Sequence, residues 1–241
     1  HEGRRGVNRL VEKCLGPNLS RENGYYLPGL AAGGIEYQDR FGNALCDSLS
    51  TKEIEFLKNI PIKMKLLMRK HTKNILPNIK EEQLDLIINK SVLDTNYSPT
   101  INLNSLFELV PGDINKQREL QMMLKTLMES LLALAKENNL QDSFYLHIAP
   151  NLGIKNGQDI IKYSTEEDIG TTDIQFMVKG AYKENGLLVL INKYIFQSQG
   201  YYPLGIDFNA KSCPLNSFDQ LEICKKYIKK NDMPTIIGVG D

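Results

Sequence analysis

The sequence has few of the residues from which metal and redox centres are usually built. Its 241 residues include only three histidines, His1, His71 and His147, and four cysteines without a CxxC pair. Histidines this far apart in sequence argue against a histidine-based metal site. Cysteines without paired spacing predict reduced thiols rather than disulfides or a zinc site.

The sequence also lacks an excess of charge of one sign and lacks long apolar runs. Its 29 basic and 29 acidic residues give a formal net charge of zero, so it has no bulk electrostatic attraction to nucleic acid or anionic membranes. No apolar run is long enough to span a bilayer, and no signal-peptide pattern is present. We therefore expect a cytoplasmic protein without nucleic-acid or membrane partners. A local basic pocket for a phosphate monoester needs only a few cations and stays possible.

Periodicity predicts long helices together with short strands. Apolar residues recur at steps of three and four between Lys116 and Asn138, which predicts a helix, and Ser50 with Glu53 forms the capping box of another helix. The remaining predicted elements are strands over Phe144–Ala149, Ile174–Val178 and Thr235–Val239, and helices over Glu184–Gln197 and Ser217–Lys230. The order of elements near the C-terminus favours a parallel α/β core. The middle of the chain fits an inserted α+β module.

The strongest local signal for chemistry is the final segment, Gly238 to Asp241. Glycines after a buried parallel strand allow a tight turn where ligands bind, and an aspartate there holds a hard cation through oxygen. Asp241 is therefore a candidate metal ligand, although the same tetrapeptide also fits an ordinary strand-to-loop turn. Because the chain opens without methionine and stops after this strand, we expect it to be cut from a longer protein.

Two further groups of residues are candidates for ligand binding. Lys183 lies at the start of a predicted helix, where its charge suits a bound phosphate; Lys179 is a competitor, and both also fit solvated surface lysines. The hydroxyls and carboxylate of Thr171, Thr172 and Asp173 suit sugar hydroxyls but also suit ordinary turns and helix or strand caps. His147 and Asn151 bracket a strand end and could face one pocket, or they could be structural.

Common catalytic and nucleotide-binding signatures are missing. The chain contains no GxSxG, HExxH or kinase motif. The glycine-rich segment Leu27–Gly34 lacks both the GxGxxG spacing and the GK[ST] of a P-loop. The sequence therefore does not predict a nucleotide site.

As a set, the motifs resemble the glucosylglycerol-phosphate phosphatases. Similar strings occur in order along nearly the whole chain: GYYLPGLAAGG from Gly24 to Gly34, YQDR from Tyr37 to Arg40, SVLD from Ser91 to Asp94, SPT from Ser98 to Thr100, NLN from Asn102 to Asn104, DSF from Asp142 to Phe144, APNLG from Ala149 to Gly153, GTTD from Gly170 to Asp173, and GVGD from Gly238 to Asp241.

The resemblance implies a haloacid-dehalogenase-like fold. It implies an α/β Rossmannoid core, here partial and formed by residues 1–47 and 180–241, with an inserted α+β cap at 48–179. It implies Mg2+ as cofactor and an aspartate nucleophile in an N-terminal DxD loop that this sequence does not contain, so the chain alone is expected to be inactive. It further implies Lys183 as the phosphate-binding lysine and Asp241 as a metal ligand. The cap is expected to act as a lid and to contact the sugar, and the candidates for these contacts are His147, Asn151, Thr171, Thr172 and Asp173.

The implied substrate is a small sugar phosphate, 2-O-glucosylglycerol 3-phosphate, hydrolysed to an osmolyte under salt stress. Two alternatives stay open. One is a sucrose- or trehalose-phosphate phosphatase of the same superfamily. The other is a non-catalytic sugar-binding module in which Lys183 and Asp241 are ordinary surface residues.

Overall fold

The fold contains helices and antiparallel sheets in two compact units. The computed structural model describes residues 11–46, 48–93, 97–155 and 158–237. The terminal unit consists of His1–Leu49 and Gly180–Asp241, and the central unit is Ser50–Lys179. The predicted boundaries, at 47/48 and 179/180, lie within two residues of these. The identity of the units as a core and a cap stays a prediction.

The elements follow one another along the chain as follows. In the described residues the α-helices are α1 (Pro17–Asn23), α2 (Thr51–Ile75), α3 (Glu81–Ser91), α4 (Asn104–Phe107), α5 (Ile114–Glu137), α6 (Lys183–Gln199) and α7 (Ser217–Tyr227), and residues 11–15 are also helical. The strands are β1 (Gly29–Ala31), β2 (Glu36–Gln38), β3 (Ala44–Leu45), β4 (Val92–Leu93), β5 (Thr100–Asn102), β6 (Phe144–Ala149), β7 (Asn151–Lys155), β8 (Gln158–Ile161) and β9 (Asp173–Val178).

The terminal unit packs α6 against a small antiparallel sheet of order β1-β2-β3. The 3-10 turn Ala32–Gly34 joins β1 to β2. A Cβ built on Gly34, whose φ is +93°, would lie 2.5 Å from the Cα of Gly186 in α6. The backbones of the turn and of the helix therefore meet without a side chain between them, which only glycine allows.

The central unit packs helices against one face of a four-stranded antiparallel sheet of order β4-β5-β9-β6. Phe56 of α2 lies against Phe144 of β6 and Phe176 of β9, with ring centroids 5.4 and 6.0 Å away. The core residues of α5 are fully or nearly buried: Leu120, Met123, Leu124, Leu127 and Leu131. A separate two-stranded ribbon is formed by β7 and β8.

The local signals in the central unit are confirmed. Ser50 caps α2, because its hydroxyl accepts a hydrogen bond from Glu53 N while Ser50 N donates to the Glu53 carboxylate at 2.8 Å. The helix continues through Pro61 to Ile75. The strand predicted over Phe144–Ala149 has those bounds in the structure.

The predicted parallel core and final strand are not found in the described part of the chain. All strand pairs there are antiparallel. Thr235–Ile237 has no regular secondary structure, and Ile236 and Ile237 are 50% and 83% exposed. A strand forms only where a neighbouring strand takes up its backbone hydrogen bonds, and no described strand pairs with these residues. The rest of the predicted strand lies outside the described residues.

Candidate functional site

The second face of the central sheet carries several polar side chains that are partly open to solvent. Along β6, side chains alternate between buried and half-buried, so that His147 faces away from the packed helices. Register places Gln175 of β9 opposite His147, and Asp173 of β9 opposite Asn102 of β5. Because directly opposed residues share a face, these side chains project from one surface, which we call the open face. Its polar residues include Asn102, His147, Asp173 and Gln175.

Asp173 is held in place at the end of β9 by two donors. The amide of Asn102 donates to Oδ1 at 2.7 Å, and the hydroxyl of Thr172 donates to Oδ2 at 3.1 Å. Each carboxylate oxygen accepts more than one hydrogen bond. Asp173 therefore keeps acceptor capacity for hydroxyl groups, with its orientation already set.

His147 is paired with a carboxylate that the sequence reasoning missed. Nδ1 of His147 lies 2.9 Å from Oδ2 of Asp159, which belongs to β8. The His147 side chain is 44% exposed, whereas that of Asp159 is 9% exposed. An aspartate within a short polar stretch gives no sequence signal, because the contact depends on how the ribbon lies beside β6.

Two of the predicted sugar contacts make hydrogen bonds within the central unit. Thr171 is fully buried, and its hydroxyl donates to Pro150 O at 2.7 Å and accepts from Lys162 N at 2.9 Å. Asn151 uses its amide within a turn, donating to Ile148 O at 2.8 Å and accepting from Gly153 N at 2.9 Å. Thr171 and Asn151 stay predicted sugar contacts, although these atoms already have partners within the central unit.

Lys183 is the first residue of α6, one position earlier than the predicted helix start, and its side chain is exposed. The first turn of a helix carries backbone N–H groups without helical partners and a partial positive charge. This position adds to the attraction of the ammonium group for anions. Lys179, also exposed, follows β9 in the central unit. Asp241, the predicted metal ligand, lies outside the described residues.

Possible metal ligands are not clustered in the described part of the chain. Within the four described ranges, no three side chains of the types His, Cys, Asp or Glu are grouped as metal ligands. Mg2+ as cofactor and Asp241 as its ligand therefore stay predictions.

An open depression in the central unit contains none of the predicted residues. It has a volume of about 830 Å³ and lies at the start of α5, lined by residues 112–115, Arg118 and 165–167.

In the part of the chain described, no helix is long and apolar enough to cross a membrane.

Comparison with known proteins assigns a family to the chain. The family model described as glucosylglycerol-phosphate phosphatase matches residues 1–241. A curated glucosylglycerol-phosphate phosphatase from Synechocystis sp. is 40% identical over 243 residues, which cover 100% of this chain and 58% of that relative. The chain thus spans somewhat more than half the length of the relative. No solved structure gives a significant match. The chain belongs to the glucosylglycerol-phosphate phosphatase family.

Proposed function

We propose that the complete protein hydrolyses 2-O-glucosylglycerol 3-phosphate to glucosylglycerol and phosphate, as a step of osmolyte synthesis under salt stress. The observation that carries this proposal is the family match over residues 1–241. The relative from Synechocystis sp. supports it through 40% identity along the whole of this chain.

The finer fold assignment is part of the same proposal. We assign residues 1–47 and 180–241 to a haloacid-dehalogenase-like core and residues 48–179 to an α+β cap. The division of the chain into two compact units with similar bounds supports this assignment. The antiparallel sheet of the central unit, with helices on one face, suits an α+β module.

The central unit supplies groups suited to sugar hydroxyls. A hydroxyl both donates and accepts, so a surface that recognises it needs both kinds of partner. The open face offers the Asp173 carboxylate as an acceptor and the Gln175 amide as donor and acceptor, with half-exposed His147 beside them. Thr172 orients Asp173. Fixed polar groups give such a site its selectivity, because a wrong ligand leaves them unpaired.

The terminal unit supplies a cation suited to phosphate. Lys183 combines a compact charge with the positive end of α6, which has 17 residues. The close approach of Gly34 to Gly186 fixes the first turn of that helix against the turn between β1 and β2. Magnesium dependence is proposed from the resemblance alone, with Asp241 as ligand, and we derive no step of the reaction through the metal.

The test is phosphate release by the complete protein from glucosylglycerol phosphate, sucrose phosphate and trehalose phosphate, with Mg2+ and with a chelator. We expect release from the first substrate at a kcat/KM at least about tenfold above the others, and loss with the chelator. Lys183→Ala is expected to lower kcat/KM about 100-fold, the scale of one removed transition-state contact. Lys179→Ala is the matched control. Preference for another sugar phosphate, or release from none, would refute the proposal.

A further inference from the structure

We propose that Asp159 is a positioning residue that holds His147 so that Nε2 of the imidazole accepts a hydrogen bond from a sugar or glycerol hydroxyl. The inference rests on the proposed function for the identity of the ligand. Its geometric basis is the contact between the ribbon strand β8 and strand β6, which lies wholly within the central unit.

A single carboxylate oxygen makes both contacts. Oδ2 of Asp159 accepts a hydrogen bond from Ile148 N at 2.7 Å and lies 2.9 Å from Nδ1 of His147. The backbone bond fixes the oxygen relative to β6, and the second contact then fixes the imidazole ring. The ring is thereby tied at one nitrogen to a nearly buried group while 44% of the side chain stays exposed.

This contact determines which nitrogen carries the proton. A carboxylate is only an acceptor, so Nδ1 must be the donor in the pair. In a neutral imidazole the other nitrogen, Nε2, is then left with its lone pair. The ligand group that Nε2 recognises is therefore a donor, and a hydroxyl fits this requirement.

The neighbours of His147 support a hydroxyl-rich ligand. Gln175 lies directly opposite His147 on β9, and Asp173 lies two residues away on the same strand and the same face. Asp173 is an acceptor and Gln175 is both donor and acceptor. Together with Nε2, these groups suit several hydroxyls of one ligand rather than a single anion.

Asp159 also has a structural role that the experiment must separate. The strand order places β6 at one edge of the sheet. The Asp159 carboxylate accepts a hydrogen bond from the N–H of Ile148, which points outward from this edge. Exposed edge groups of this kind need partners. Removing the carboxylate therefore affects the edge of β6 whether or not His147 binds a ligand.

The first test is spectroscopic and does not depend on activity. Nitrogen-15 spectra of histidine side chains distinguish the two neutral tautomers, and His147→Gln identifies the signal of His147 among those of the other histidines. We expect His147 to carry its proton on Nδ1 in the wild type. The proton should stay on Nδ1 in Asp159→Asn, because the amide oxygen of asparagine can take the place of Oδ2. In Asp159→Ala the preference for Nδ1 should be lost. A wild-type proton on Nε2 would overturn the proposal.

The second test is a double-mutant cycle on phosphate release by the complete protein. Asp159→Ala is expected to lower kcat/KM about tenfold, mainly through KM, the scale of one lost hydrogen bond. Asp159→Asn should restore most of this loss. In the His147→Gln background, Asp159→Ala should cost less than about twofold, because Asp159 acts through His147. Equal losses in both backgrounds would assign Asp159 to the edge of β6 alone and overturn the proposal.

Failure of the inference differs from failure of the proposed function. A wild-type protein that releases no phosphate from glucosylglycerol phosphate refutes the function, and the tautomer measurement then decides the role of Asp159. A wild-type protein that turns over this substrate, with additive effects in the cycle, refutes the inference and leaves the function standing.

Discussion

Gln121 of α5 holds the segment that leads into β9, and its replacement by methionine should destabilise the central unit. The side chain is fully buried. Its Nε2 donates to Ile169 O and Thr171 O at 3.0 Å each. Lys162 O is a third, longer acceptor of the same amide, at 3.3 Å. Its Oε1 accepts from Ser164 N at 2.8 Å.

The magnitude follows from these bonds. Gln121→Met keeps nearly the same volume, so the cost of a cavity is small. The bonds from Nε2 to Ile169 O and Thr171 O are lost, at about 1 kcal/mol net each. The third bond leaves the buried N–H of Ser164 without an acceptor, and this loss costs about 1–3 kcal/mol. We expect the free energy of unfolding to fall by about 3–5 kcal/mol.

The assay is urea unfolding followed by circular dichroism, with hydrogen exchange of the Ser164 amide as a local measurement. Gln121→Glu is the matched variant, since it keeps the acceptor for Ser164 but turns a second oxygen toward the carbonyl groups. It should be at least as destabilising at neutral pH and should recover as the pH falls, because a protonated carboxyl donates again. A loss below about 1 kcal/mol for Gln121→Met would refute the reasoning.

Two further predictions concern packing and pH. Gly34→Ala should lower the free energy of unfolding by about 3 kcal/mol, measured by urea unfolding, because position 34 has a left-handed backbone and the new Cβ would collide with Gly186. Gly200→Ala is the control, since position 200 is also left-handed but has no atom within 4 Å of the new Cβ, and it should cost only about 1 kcal/mol. The ammonium of Lys162 donates to the Asp168 carboxylate and lowers the pKa of that carboxyl. The folded pKa therefore lies below the unfolded one, and the stabilisation is present above the unfolded pKa and is lost as pH falls through the folded pKa. The free energy of unfolding of Asp168→Asn should be lower than that of the wild type at neutral pH, and this difference should decrease below about pH 4. A difference that does not depend on pH would contradict the prediction.

Elements with strong local signals were predictable from the sequence. The capping box of Ser50 and Glu53 lies within one turn of chain, so its geometry follows from the residues themselves. The same holds for the apolar stripe of α5, since helical spacing alone places those side chains on one face. The alternation along β6 also set its bounds correctly.

Features that depend on distant partners were not predictable. Asp159 and His147 are 12 residues apart and meet only because the ribbon lies beside β6. Gly34 lies in a glycine-rich segment for which the sequence analysis predicted no site, whereas in the structure its backbone packs closely against Gly186. The apolar run at Thr235–Ile237 looked like a strand, but hydrophobicity does not supply a pairing partner. For the same reason, the antiparallel order of the sheets could not be read from the order of elements.

The alternation of β6 and β9 separates two demands that usually compete in a small domain. Ile148 of β6 and Ile174 of β9 belong to the interior, whereas His147 and Gln175, each next to one of them in sequence, are partly exposed. A substitution at His147 or Gln175 therefore changes what the surface can bind without opening a void in the interior. Relatives with other ligands can diverge at such positions one residue at a time, with little loss of folding stability at each step.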